Sequence, residues 1–288
     1  MKIRANPYGI TDRINELIDN LHELEDAKND GTPVVDLCHA EFIKPFSILP
    51  LAVYANYYGI TITCTEPGHD IQSYLRTIKF QRGVTELKNV SDKTYLPIIR
   101  LPANQENSVL YDYEEHILSK VNAVQKLSGF NDGLRYLTGE LESNIIQHSQ
   151  ADHYWLLAQY YDTHNKTCEI VIADTGIGYR ESYRNTPYEV DTDKEAIINA
   201  LEGKSSKHSK EKFKGMGEFI ERGTGIPSIV SLCINGLGGK LVIMSGDTIV
   251  YYKSKQDRII VPLKSYWKGS LIALNLNVKS VDYFKYIK

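Results

Sequence analysis

Leu134, Leu137, Leu141, Ile145 and Ile146 recur at intervals of three and four, the spacing of one apolar helix face. A helix here puts Glu140, Asn144 and His148 at i, i+4 and i+8, about 40° apart per step at roughly 3.6 residues per turn. An acid, an amide and an imidazole then form one polar stripe. Further along, Cys168-Glu-Ile-Val-Ile-Ala173 reads as a buried strand, and Asp174-Thr-Gly176-Ile-Gly178 stands at its end. An amphipathic helix beside a buried strand commits this part of the chain to helices packed on a sheet.

The residue types suit particular chemistry. Mg²⁺ riding on a phosphate chain takes few protein ligands, all oxygen, and Asn144 can supply one. Asp174, an acceptor when ionised, can receive a hydrogen bond from an exocyclic amino group and repels the carbonyl of guanine, which favours adenine. Gly176 and Gly178 let backbone approach a ligand closely. Each motif alone also fits a plainer role, the first as a solvated helix face and the second as a tight turn. A third segment, Gly223-Thr224-Gly225-Ile226-Pro227, feeds an apolar-periodic helix and suits a phosphate cradle at a helix start. Beyond it, the runs from Gly238-Gly239 to Ser245-Gly246 and from Gly269-Ser270 onward read as strands entered through glycines.

In this order the motifs resemble the four nucleotide-binding boxes of the GHKL ATPases, the superfamily of gyrase B, Hsp90, histidine kinases and MutL. The resemblance covers roughly residues 110 to 278. The piece Ala196-Ile-Ile-Asn-Ala-Leu-Glu-Gly-Lys-Ser-Ser-Lys is most similar to the small anti-sigma-factor kinases. It implies that Glu140 is the base polarising water or a protein hydroxyl, Asn144 the Mg²⁺ ligand, and Asp174 the adenine reader. Gly176 and Gly178 would shape the adenine edge, and Gly223, Thr224, Gly225 and Ile226 would wrap the phosphates. Ser270 stands where the family usually has Thr and keeps the hydroxyl. His148 fits either a phosphate contact or the last carbonyls of its own helix.

Between Tyr179 and Arg222 the chain is rich in Lys, Ser, Glu and Gly, and a lid over the phosphates is expected at about 179–222, with Lys204 as a phosphate-facing cation. Gly203-Lys204-Ser205 does not complete a Walker A loop, because position 198 is Ile and not Gly.

Residues 1–105 read as a separate regulatory or interaction domain. An amphipathic helix runs from Ile10 to Leu24, and the strand Val34-Val-Asp-Leu-Cys, the apolar run Phe46–Tyr58 and the strand Ile60–Cys64 give a parallel β-α-β unit. The wording around Val34–Leu49 resembles the STAS domain of anti-sigma-factor antagonists. Ser47 lies near that family's phosphoacceptor, yet Pro45-Phe46 replaces the usual small polar pair, and Ser47 is assigned to the helix start. A two-component sensor kinase is disfavoured. His22 precedes the STAS-like region and His116 lies on a single helix, so neither sits on a dimerising hairpin.

The fold expected is α/β (α+β): a STAS-like βαβ domain over 1–105, then a Bergerat-type sandwich of helices on a mixed sheet over 106–288. ATP and Mg²⁺ are the expected ligands, with a protein partner or a second copy as the responder. Three activities share such a pocket: an ATPase or ATP-driven switch, a serine/threonine kinase, and a nucleotide-binding regulator without turnover. A net charge of −3 gives no drive toward nucleic acid or membrane. Cysteines 38, 64, 168 and 233 form no C-x-x-C pair, which fits a reducing cytoplasm, and no apolar run approaches membrane-spanning length.

Overall fold

The computed structural model describes residues 13–30, 34–35, 42–65, 68–88, 93–124, 126–162, 165–204, 206, 225–254 and 256–287. Its centre is a five-stranded sheet of β3 (Ile99–Pro102), β4 (His153–Tyr161), β5 (Thr167–Asp174), β6 (Lys240–Ser254) and β7 (Asp257–Asn277), in the order β3-β4-β5-β7-β6. Every pairing is antiparallel, so the mixed sheet expected for this region is corrected. β1 (Val34–Val35) and β2 (Thr63–Cys64) form a separate parallel pair, joined through α2 (Pro45–Tyr58) as the β-α-β reading requires.

The central strands read as nearly continuous apolar runs because both faces of the sheet are covered. Leu156, Ala158, Ile170, Ile172, Ile243 and Leu274 face one core, closed by α4 (Ser108–Val124), α5 (Phe130–His148), α7 (Asp193–Leu201) and α8 (Gly225–Val230). The alternate residues, among them Leu157, Val171, Ala173, Val242 and Ala273, face a second core with α1 (Ile14–Asp30), α2 and α3 (His69–Thr77). α2 lies between α1 and strands β4 and β5 and is apolar all round, as a helix buried on every side must be. Pro45 starts it, and Gly59 at φ 65° ends it with its N–H on the carbonyls of Ala55 and Asn56.

The boundary expected near residue 105 falls between an edge strand of this sheet and α4, which packs on it, while α1 and α2 share a core with β4, β5 and β7. Ser47 is 4% exposed and accepts a hydrogen bond from Arg13 Nη1 at 2.8 Å, in the first turn of α2. The segment expected as a polar lid is packed over its first half. α6 (Gly178–Ser182) and α7 lie against β6, and Tyr183, Ala196 and Ile197 are buried. Thr192 caps α7 by accepting from Glu195 N, and its hydroxyl donates to Glu195 Oε2 at 2.8 Å. Residues 207–222 of the expected lid lie outside the described residues.

Gly238-Gly239 does lead into β6, but Gly246 does not end that strand and Gly269 does not start the next. β6 runs 15 residues, straight through Gly246, and β7 runs 21, straight through Gly269. The register shifts between Ser245 and Thr248, so both glycines sit at an irregularity inside one long hairpin. Among the described residues, no helix is long and apolar enough to cross a membrane.

Candidate functional site

β5 delivers Asp174 to the end of the sheet, where it is 1% exposed. Its Oδ1 accepts from Gly176 N at 2.8 Å, closing the tight turn, and its Oδ2 accepts from Ser270 Oγ at 2.5 Å. Burial pushes the Asp174 carboxyl above its ordinary range, with the Ser270 and Gly176 bonds opposing it. Gly269, at φ 88°, brings its backbone so close that a Cβ would lie 2.3 Å from Asp174 O. Ser245 completes the corner: its Oγ donates to Gly269 O at 2.7 Å and accepts from Tyr179 N at 3.2 Å. Asp174, Gly176, Gly178 and Ser270 therefore meet in one constellation, with Gly178 packed against Ser245 Oγ.

The second group forms where α5 meets α8. A Cβ on Gly225 would stand 2.8 Å from Glu140 Oε2, 3.4 Å from Asn144 Oδ1 and 3.5 Å from Asn144 Nδ2. Three residues drawn from two motifs more than 80 positions apart are thus in contact distance. Glu140 is half-buried, and desolvation raises its carboxyl above the usual range. Asn144 Nδ2 is buried with no hydrogen-bond partner among the described residues. Ile226, grouped with the phosphate-wrapping residues in the sequence, is 7% exposed and belongs to the core.

α5 connects the two groups. Its C-cap, Ser149, lies about 7 Å along the axis from Asn144 at roughly 1.5 Å per residue. The Ser149 carbonyl accepts from Ile177 N at 2.7 Å, and a Cβ on Gly176 would come within 2.0 Å of it. The helix carrying the acid and the amide is bolted to the turn that carries Asp174.

The remaining expected residues are placed differently. His148 Nδ1 stands 3.0 Å from Ser206 Oγ, joining the end of α5 to the chain that follows α7. Lys204 Nζ bonds Asn199 Oδ1 at 2.7 Å and pairs with Glu202 at 2.8 Å, so its ammonium is committed to the end of α7. Gly223 and Thr224 lie outside the described residues.

Ser245 and Ser149 are structural parts of the site that the motif reading passes over. Ser245 had one signal, its place before Gly246; Ser149 acts through a backbone carbonyl, which carries no signature in the side-chain sequence. Asp193 is another: 3% exposed, it lies 3.8 Å from Arg180 Nε and accepts from Asp247 N, filling the space left by the missing side chain of Gly246.

No protein-family model matches the chain, and no curated protein matches it in sequence.

Proposed function

We propose that this chain is a Mg-ATP-binding ATPase of the GHKL type, or an ATP-driven switch of that type, acting on a protein partner. The observation that carries the reading is the course of α5: Glu140 and Asn144 face Gly225, and one turn later the Ser149 carbonyl holds the Asp174–Gly178 turn. Residues separated by a long stretch of chain thereby share one helix as a common wall.

The residues suit the ligands. Asn144 fits a single Mg²⁺ ligand, because its amide end is buried without a partner among the described residues, and an amide flip exchanges nitrogen for oxygen there. Bound Mg²⁺ supplies charge neutralisation at phosphate oxygens. A carboxylate has lone pairs beyond those given to Gly176 N and Ser270 Oγ. An exocyclic amino group matches them.

Glu140 does the proton work in this reading. A half-buried carboxylate with a raised pKa is a stronger base than an exposed one and accepts a proton from water or from a hydroxyl. Gly225 gives it room: any larger residue would meet Oε2. Asp174 orients the adenine, Asn144 orients the phosphate end, and α5 fixes the separation between them.

Incubation of the purified chain with γ-labelled ATP and Mg²⁺ tests this. Free phosphate from the parent, and none from Glu140→Ala at equal ATP binding, is the expected result. Labelled protein instead points to the kinase activity, and bound but unchanged ATP to a regulator without turnover. Absence of ATP binding by the parent chain sinks the reading altogether.

A further inference from the structure

The turn from Asp174 to Tyr179 is tied at both ends to two consecutive residues of β7. At the near end Asp174 Oδ2 accepts from Ser270 Oγ at 2.5 Å. At the far end Tyr179 N donates to Ser245 Oγ at 3.2 Å, and the same hydroxyl donates to Gly269 O at 2.7 Å. Ser245 is 1% exposed and stands directly opposite Ser270 in the β6–β7 register. The next register pair is Gly246 with Trp267, so Lys268 and Gly269 have no register partner on β6. Such an irregularity leaves residues unpaired in the ladder and re-aims the side chains beside it. The Gly269 carbonyl lies in it and is the acceptor that Ser245 uses.

We propose that Ser245 is a positioning residue that sets the base selectivity of the site: by bridging Tyr179 N and Gly269 O it fixes the far end of the turn, and with it the approach of a nucleobase to the Asp174 carboxylate. The inference rests on the reading of Asp174 as the adenine reader, and it adds a residue to which that reading gives no role. The need is physical. Gly176 and Gly178 give the turn backbone freedom that has to be removed if Asp174 is to meet one base in one geometry. Gly176 N on Asp174 Oδ1 and Ile177 N on the Ser149 carbonyl restrain the first half. The second half runs into α6, a helix of five residues, too short to hold its own start in place. Ser245 supplies the restraint there. A Cβ on Gly178 would stand 2.8 Å from Ser245 Oγ and 3.1 Å from Gly269 O, so the backbone lies directly on the bridge.

Ser245→Ala removes the bridge, and Ser245→Thr keeps the hydroxyl. Two readouts apply. In nucleotide-free protein, amide exchange of Gly176 and Ile177 is expected to quicken about 10-fold or more in Ser245→Ala, since the near half of the turn loosens once the far end is released. In Ser245→Thr it should stay near the parent. With Mg²⁺ present, calorimetry and competition give the ratio of ADP to GDP affinity. Ser245→Ala is expected to bind ADP about 10-fold more weakly and GDP within about twofold of the parent, so the ratio falls about 10-fold. A loss shared equally by ADP and GDP is what a merely structural serine produces, and it overturns the inference. Unchanged exchange of Gly176 and Ile177 in a folded Ser245→Ala protein overturns it too, whether or not the chain binds nucleotide. If Ser245→Ala does not fold, Ser245→Cys carries the same readouts, because a thiol fills the place of the hydroxyl and makes weaker hydrogen bonds. Absence of nucleotide binding by the parent, with the exchange quickened as expected, overturns the ATP reading alone and leaves Ser245 as the residue that fixes the turn.

Discussion

Ser270 Oγ donates a 2.5 Å hydrogen bond to Asp174 Oδ2 across 96 positions of sequence, pinning an acid at the end of β5 to the adjacent strand β7. The bond matters because Asp174 is buried and its other oxygen is taken by Gly176 N. Removing the hydroxyl in Ser270→Ala leaves a desolvated carboxylate short of one donor, which costs about 1–3 kcal/mol of stability. Ser270→Thr restores the hydroxyl and should recover most of it. Thermal melts of the three proteins check this. Asp174→Asn keeps the shape and loses the charge. It should weaken ATP binding by about 10-fold or more by calorimetry, since charge-assisted bonds are roughly twice as strong as neutral ones. Parent-like affinity in Asp174→Asn would remove Asp174 from the nucleotide site.

Two glycine substitutions should separate fold from site. In Gly176→Ala the new methyl lands 2.0 Å from the Ser149 carbonyl oxygen, a backbone atom fixed by the end of α5. The turn has to move, and a loss of about 3 kcal/mol or more is expected. In Gly225→Ala the methyl meets the end of the Glu140 side chain at 2.8 Å, and that side chain can swing aside. Stability should change by less than about 1 kcal/mol while turnover falls, because the displaced atom is the proposed base. Urea unfolding measured beside phosphate release distinguishes the two. Equal stability losses in both would mean that Gly225 is a packing glycine like Gly176.

These glycines also mark where the sequence is legible. α5 and β5 were readable because each carries its pattern locally: apolar residues at three and four in one, an unbroken β-branched run in the other. The β-α-β start was readable for the same reason. The extent of the β6–β7 hairpin was not, since Gly246 and Gly269 look like strand boundaries and their conformations are set by contacts with Asp193 and Asp174, far away in sequence. The packing of 178–204 was hidden in the same way. Charged and polar residues are interspersed along it, and its buried apolar residues, Tyr183, Ala196, Ile197 and Ala200, find partners only once the sheet exists. The docking of α1 and α2 on the sheet follows from strands apolar on both faces, a pattern that names no covering element.

A buried carboxyl away from the site sets a pH dependence. Glu114, on α4, is 8% exposed and takes a hydrogen bond from Thr138 of α5; burial pushes its pKa up to about 7. The folded protein then holds a proton that the unfolded chain has released between the ordinary carboxylate value and about pH 7. Stability from this group is full below the unfolded pKa and falls as pH rises through the folded one. After allowance for the part that stays in contact with solvent, the loss should be roughly 2 kcal/mol. Chemical unfolding at intervals from pH 4.5 to 8 reads it, and Glu114→Gln should flatten the curve. A parent curve that rises steadily across this window would assign Glu114 an ionised, paired state instead.

Glu169 lies on β5 five residues before Asp174, about 16 Å away at roughly 3.3 Å per residue, and couples the sheet to the N-terminal helices. It is fully buried, and its Oε1 accepts from Phe46 N at 2.9 Å, so a carboxylate of the sheet satisfies an open N–H at the start of α2. Burial raises its pKa while Lys44, Phe46 N and Arg13 oppose the rise. Glu169→Leu removes the acceptor, leaving Phe46 N without this partner and the Arg13 charge without its neighbour. Losses of about 2–4 kcal/mol are expected. Glu169→Gln keeps an acceptor and removes the buried charge, so it should stay within about 1 kcal/mol of the parent. Its stability relative to the parent should improve as pH rises above the ordinary carboxylate range, because the parent alone must then bury an ionised group. If α2 docks on β5 through this bond, amide exchange of Phe46 and Ser47 should quicken markedly in Glu169→Leu and little in Glu169→Gln. Unchanged exchange in the leucine variant would show that the apolar face of α2 holds it on the sheet without the carboxylate.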